Sequence, residues 1–365
     1  MPEFILDAVE ARFGDCILIR WGDDLKKIML VDGGPGSVYD DRLEPVIDEI
    51  RAELGIATDD PLDLELAAVS HIDGDHVLGI EQLLKGIKSA RNDQLAEKVR
   101  IKKFWLNSFD DILTGGGATP TAVLASLGSH APPSLADEVA AVLASVPQGR
   151  RTRDLARGLQ LPGNMADGDL VKSGDTLALP DDMDITVVAP ASDELDALQN
   201  LWETTPVADQ ATIAANIDDS IPNLSSIVML LKRNGATALL TGDARGDLIR
   251  KALADAGLLD AEGKFHVNVL KLQHHGSKNN MVPEFFSKIT ADHYVVSANG
   301  HHHHPSTDTL QAIVDARGND TYTIHLTNDV PHATTLLNDA AAQPGRNLTV
   351  NIRDANKHKI RVPVG

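Results

Sequence analysis

An apolar run, Leu66-Ala67-Ala68-Val69, leads directly into Ser70-His71-Ile72-Asp73-Gly74-Asp75-His76, and an apolar helical pattern with Leu78, Leu83, Leu84 and Ile87 follows. Four side chains able to ligate a metal therefore fall within six residues at a strand-to-helix turn. This constrains the fold more than any other feature. The strand must be buried and the helix must pack back on its sheet, which is the pattern of a layered α/β protein. Imidazole together with carboxylate suits Zn, Mn or Fe. Asp and His are also ordinary turn residues, and Asp an ordinary helix N-cap. The stretch gains weight from what the chain carries at other strand ends.

Three further stretches have the same form. Val31-Asp32-Gly33-Gly34 ends an apolar run with a carboxylate, then glycines that permit close backbone approach. Leu240-Thr241-Gly242-Asp243 repeats this far downstream, and Leu272-Gln273-His274-His275-Gly276-Ser277 ends another run with two imidazoles. Around these motifs, Phe4 to Val9, Cys16 to Ile19 and Ile28 to Val31 read as a meander. Arg42 to Leu54 and Val77 to Ile87 read as helices, and Val99 to Leu106 as a strand. Asn234-Gly235 marks a hairpin between Ser226–Leu231 and Ala236–Leu240. Leu348–Ile352 and Lys359–Val362 form a candidate edge hairpin. Residues from about 110 to 165 contain Gly115-Gly116-Gly117, Pro132-Pro133 and Ala-rich helical stretches. They are poor in large apolar residues, so a helical insertion or lid within one domain, 1–365, is expected rather than a second core.

Composition narrows the function. The chain has 365 residues, 42% hydrophobic and 24% charged, a globular balance that excludes wholesale disorder, collagen-like repeats and a coiled-coil rod. Its formal charge of −20 argues against a passive grip on nucleic acid, which relies on Lys and Arg. A nuclease whose metal ions bring local positive charge stays open. Cys16 is the one cysteine, so no intramolecular disulfide and no four-cysteine zinc site can form. A free thiol fits a reducing cytosol. Neither a secretory signal nor a membrane span is visible, and a cytoplasmic location is expected. No Gly-x-Ser-x-Gly elbow competes for the chemistry.

The order Asp-Gly-Gly, His-x-Asp-x-Asp-His, Thr-Gly-Asp and His-His-Gly-Ser resembles the metallo-β-lactamase superfamily, most closely its ComEC-like branch of DNA-uptake competence nucleases. The match covers about 4 to 310 and includes Asn223-x-Ser225-Ser226-Ile227-Val228 and His304-Pro305. The usual second motif is His-x-His-x-Asp-His, and Asp73 stands where its second His would be. The resemblance implies a metallo-β-lactamase-like αββα sandwich with a helical insertion and with metals at one edge between two sheets. It implies His71 and Asp73 at a first metal position, Asp75 and His76 at a second, and Asp243 bridging both. One of the His274/His275 pair would close the second position, with His275 as the ligand and His274 behind it or facing phosphate. Asp32 would bind no metal and would hold the ligand loop by hydrogen bonds. Asp73 in place of His shifts the first position toward manganese or magnesium. No His matches the family's third motif, and His130 reads as a surface residue, so the first position is expected to be weakly held.

The leading expectation is therefore a phosphodiester hydrolase with one or two divalent ions (Zn or Mn, with Mg as an option) acting on DNA. A hydrolase of small esters, lactones or thioesters on the same fold is the second, because fold does not decide function. A non-catalytic metal-binding interaction module is the third. Asp75 would orient the attacking water, and His304 would act as general acid or contact a phosphate. Asn223, Ser277 and Lys278 are candidate substrate contacts, with ordinary capping as the alternative for the first two. Lys271 and Arg245 are further cations near the motifs, and His301 to His303 a solvated His-rich loop. A homo-oligomer or a regulatory protein partner is compatible with the chain.

Overall fold

The three N-terminal apolar runs become antiparallel strands β1 (Phe4–Val9), β2 (Ile17–Trp21) and β3 (Lys27–Val31), paired in order. The structure is a computed structural model that describes residues 2–108, 136–164, 169–193, 195, 226–282 and 284–365, with backbone alone for 136–146. After β3 come helix α1 (Glu44–Glu53), strands β4 (Leu62–Leu64) and β5 (Leu66–Val69), and helix α2 (Gly74–Asn92). The expected single strand at 99–106 is two: β6 (Val99–Ile101) and β7 (Phe104–Leu106). They part because β6 pairs with β4 in a small separate sheet while β7 joins β5. Helix α3 (Ala136–Gly158) follows, then β8 (Thr176–Leu179), β9 (Met183–Ala189), β10 (Val228–Arg233) and β11 (Ala236–Leu240). The hairpin turn between β10 and β11 has positive φ at both Asn234 and Gly235, as a two-residue connection requires. The rest alternates: α4 (Gly246–Asp255), β12 (Phe265–Lys271), β13 (Ile289–Val296), α5 (Thr307–Arg317), β14 (Thr321–Leu326), α6 (Pro331–Ala341), β15 (Asn347–Ile352) and β16 (Lys359–Val364).

The strands make a six-stranded sheet, β16-β1-β2-β3-β5-β7, and an eight-stranded sheet, β15-β14-β13-β12-β11-β10-β9-β8. The last two strands are not the edge hairpin expected from sequence. β15 extends the larger sheet, whereas β16 crosses to pair antiparallel with β1. Alternation along β16 explains this, since Ile360, Val362 and Val364 face the apolar layer between the sheets. That layer also holds Phe4, Leu6, Ile19, Met29, Met229, Leu240 and Val269. A second core lies between the six-stranded sheet and α1 and α2, and a third between the eight-stranded sheet and α4, α5 and α6. The order is helices, sheet, sheet, helices, which is an αββα sandwich.

Part of the expected insertion, 109–135 with His130, lies outside the described residues, as does Asn223. Helix α3 packs along α2, and Arg151 donates two hydrogen bonds to the Glu81 carboxylate at 3.1 and 3.2 Å. A side chain at Gly149 would stand 2.7 Å from Ile72 in the ligand loop, so this helix lies directly against it. Among the described residues no helix is long and apolar enough to cross a membrane.

Candidate metal centre

Parallel strands present their carboxyl ends to one edge of the sandwich, the usual place for chemistry in such sheets. Asp32 follows β3, Ser70 and His71 follow β5, Asp243 follows β11, and His274 and His275 follow β12. Asp73 occupies the N-cap of α2, yet its side chain makes no capping hydrogen bond. It is therefore not the ordinary cap that composition alone would suggest. Asp75 and His76 sit in the first turn of the same helix. Two loops touch closely here: a side chain at Gly242 would lie 3.0 Å from Ser70 Cβ. Gly33 and Gly79 are equally tight, a Cβ at Gly79 falling 1.9 Å from the Gly33 carbonyl. His274 and His275 both have left-handed backbone, φ 44 and 54, a costly conformation for such side chains that turns both rings inward.

The imidazoles share one arrangement. His76 Nδ1–H donates to Asp32 Oδ2 at 2.9 Å, and His275 Nδ1–H to the Ser297 carbonyl at 3.0 Å. His274 Nδ1–H donates to Asn280 Oδ1 at 2.7 Å. Asp32 also accepts the Ser70 backbone N–H and hydroxyl, both at 2.7 Å, so the Ser70 oxygen is left to accept from His71 Nδ1–H at 3.0 Å. Each ring is thus fixed through Nδ1, and each Nε2 turns toward Asp243. His71 and His274 lie 3.6 Å from Asp243 Oδ2, His275 lies 3.8 Å from it, and His76 is 3.4 Å from Oδ1. Asp73 Oδ2 is 3.5 Å from His71 Nε2, and Asp75 Oδ2 is 3.3 Å from His275 Nε2.

Donor separations of this size match the edge of a tetrahedron whose metal–ligand bonds are about 2.1 Å, roughly 3.4 Å. The Nε2 atoms of His71, His76 and His275 and the Oδ1 atoms of Asp73 and Asp243 are buried without a hydrogen-bond partner among the described residues. Buried polar atoms are almost always paired, so atoms of this kind converging on one point have the chemistry of a cation-binding site. The residues fit a divalent cation. Two sets of ligand atoms, His71/His76/Asp243 and Asp75/His76/His275, each lie within 4.8 Å of one another.

Electrostatics agree. Burial pushes the Asp75 carboxyl up, but His76 and His275 more than reverse this and hold it at about 2. Burial pulls His275 down, yet Asp243 and Asp15 raise it to about 9. His76 is raised well above the usual histidine range by Asp243, Asp75 and Asp32 against the same desolvation. Protons on these rings hold the place of positive charge. His304 differs. Burial first, then the His274 and His275 rings, lower it to about 3, which leaves a neutral ring 5.6 Å from His274 with a buried, unpartnered Nδ1.

No family model matches the chain. ComE operon protein 3 of Bacillus subtilis (strain 168) is 29% identical over 98 residues, which make up 26% of this chain and 12% of that protein. The metallo-β-lactamase fold protein YhfI from Bacillus subtilis aligns with a TM-score of 0.43 at 11% identity, over 99% of this chain and 100% of that one. Zn(2+)-bound PqqB from Methylobacterium extorquens gives 0.39 at 11% identity, over 98% and 99%. The four layers and the strand order decide the architecture. The fold is an αββα sandwich.

Within this αββα sandwich some sequence candidates stand elsewhere than expected. Ser277 is 2% exposed and its Oγ accepts the Asn279 N–H at 3.3 Å, which makes it a turn cap rather than a hydroxyl held out for substrate. Lys278 is exposed. Lys271 is no surface cation: its Nζ sits 2.5 Å from Asp15, and both are buried. Arg245 pairs with Asp247. Asp15 was missed from sequence. It lies 3.3 Å behind His275 Nδ1, its N–H bonds the Asp75 carbonyl, and a Cβ at the neighbouring Gly14 would strike that carbonyl. The Gly14-Asp15 turn preceding β2 is visible in the sequence, but it marks a turn and not a partner of His275.

Proposed function

We propose that this chain is a metal-dependent phosphodiester hydrolase acting on DNA, with two cation positions that share Asp243. His71, His274, Asp73 and Asp243 would hold the first; His76, His275, Asp75 and Asp243 would hold the second. Each offers two imidazoles and two carboxylates, a donor set suited to zinc or manganese, with magnesium less favoured by the nitrogens. His274 takes the place of the third-motif His that the sequence lacks. An imidazole at that place weighs against a degenerate, non-catalytic site. The convergence of buried, unpartnered Nε2 atoms on one carboxylate carries this reading.

A bound divalent cation acidifies water and neutralises charge on non-bridging phosphoryl oxygens. The chain's own residues do the positioning. Asp32 fixes the tautomer of His76 and ties down the Ser70 loop. Asn280 and the Ser297 carbonyl do the same for His274 and His275, and Asp15 backs His275 in its buried pair with Lys271. Asp75 accepts a hydrogen bond from the attacking water and aims it. His304, neutral and beside His274, donates through its ring N–H to a substrate oxygen, a milder part than the general acid expected from sequence. Lys278 stands exposed beside the histidine turn for a phosphate.

The test pairs metal analysis with cleavage of single-stranded and supercoiled DNA in Mn, Mg and Zn. Near two ions per chain and cleavage with at least one metal are expected. Full metal occupancy without cleavage of any DNA would sink the nuclease reading. One observation favours the second reading, hydrolysis of a small ester or thioester: Lys271 and Arg245 are both engaged by carboxylates in a chain of net charge −20. Turnover of such esters with no action on DNA would establish it.

A further inference from the structure

A ladder of rings leads outward from the metal centre. His274, beside Asp243, has its centroid 5.6 Å from His304, and His304 lies 6.3 Å from His302. His302 is 4.0 Å from His301, and His301 stacks on Phe13 at 4.8 Å with 31° between planes. His301 and His302 are exposed, and Phe13 is half-buried. Phe13 is the one phenylalanine among the described residues that belongs to none of the three cores. The hairpin tip that carries it is held firmly against the site. Ser297 Oγ donates to the Gly14 carbonyl at 2.6 Å, and the Asp15 N–H bonds Asp75.

We propose that Phe13 and His301 form a base-stacking platform at the mouth of the metal centre, and that the substrate is a single nucleic-acid strand. This rests on the phosphodiesterase reading and names its substrate class. In a chain of net charge −20 with Lys271 and Arg245 engaged by carboxylates, a cationic groove is a poor means of holding a polyanion. Stacking needs no net charge, and every base offers a ring face to an aromatic side chain. A duplex hides those faces within its own stack, so only an unpaired strand can use the platform. Bases rest on the Phe13–His301 pair while the backbone runs along His302 and His304 toward Asp243.

The test is fluorescence anisotropy of the metal-loaded protein with labelled, cleavage-resistant phosphorothioate decamers: thymidine, an abasic backbone of equal charge, and a duplex. The thymidine decamer should bind about tenfold tighter than the abasic one or the duplex. Phe13→Ala and His301→Ala should each bring that ratio toward one, with melting temperature as the folding control and exposed His301 as the safer variant. The log–log salt slope should be no steeper than about −2, that of some three phosphate contacts on a single strand. Equal affinity for the thymidine and abasic decamers, a preference that survives both substitutions, a steep salt slope, or no binding to any strand overturns the platform. Base-dependent binding without cleavage of unmodified DNA would instead overturn the hydrolase reading and leave the platform standing. Cleavage indifferent to bases would do the reverse.

Discussion

Two clusters of histidine have opposite character, one on strands of the eight-stranded sheet and the other at the edge to which both sheets contribute. On β13 and β14, His325 Nε2–H donates to His293 Nδ1 at 3.1 Å, and Asn351 Nδ2 on β15 donates to His325 Nδ1 at 3.1 Å. None of these ring atoms is an orphan. Burial lowers His325 to about 4, with His293 adding to the effect, and burial lowers His293 too. At the metal centre burial is overcome, and His275 stands at about 9. The residue type is the same, so the surroundings decide. Asp243, Asp75 and Asp15 face one cluster, whereas the other is completed by a neutral amide and feels only Asp292, which does not offset burial at His293. A buried imidazole among carboxylates keeps a positive charge that a cation can replace, and one without them is simply a neutral hydrogen-bonding group.

The comparison breaks most readily at Asp243. Asp243→Ala should strip bound metal and reduce DNA cleavage by about 10³-fold or more, while the apo fold persists. Metal content, turnover and a melting curve check this together, and retained turnover would refute the shared carboxylate. Next in size, His274→Ala and His275→Ala should each leave one ion per chain instead of two, by elemental analysis of dialysed protein. Two ions surviving in His274→Ala would remove that residue from the first position.

The pH dependence sharpens the contrast further. In chelated protein, His275 is raised from 6.5 to about 9, so its stabilising contribution is complete below 6.5 and lost as pH rises through about 9. Asp75 is lowered from 3.8 to about 2, so its contribution is complete above 3.8 and lost as pH falls through about 2. Together these two groups favour the apo chain most between 3.8 and 6.5. Metal at the second position must displace the protons of both His76 and His275, so affinity should climb up to about a hundredfold per pH unit until His275 titrates at about 9. Binding by titration calorimetry, with protons released on metal uptake, is the check. A pH-independent affinity would mean that neither ring is a ligand. The smallest effect belongs to the control cluster. His325→Ala should leave metal stoichiometry unchanged and cost roughly 1–3 kcal/mol of stability, because His293 and Asn351 lose their partner.

Much of the candidate site was legible in the chain because the residues that converge there ride on short signals. A buried strand followed at once by His71, Asp73, Asp75 and His76 leaves little freedom in where those side chains go. The glycines after Asp32 and before Asp243 announce tight turns. Asp15 was not legible, because an acidic residue in a hairpin turn looks like any other until the partner strand places His275 and Lys271 beside it. Ser277 stayed open in the sequence between a cap and a substrate contact, since nothing local tells a capping hydroxyl from an exposed one.

By itself the sequence determined the periodicities that make the two sheets and their outer helices, and the residue types at the strand ends. Those follow from local propensity and from which face of each element is apolar. Only the tertiary structure decided that β16 leaves β15 to pair with β1, that His274 joins the ring around Asp243, and that Lys271 is sealed against Asp15. Each depends on contacts between segments far apart in the chain, where burial and charge compensation outweigh anything local sequence can express.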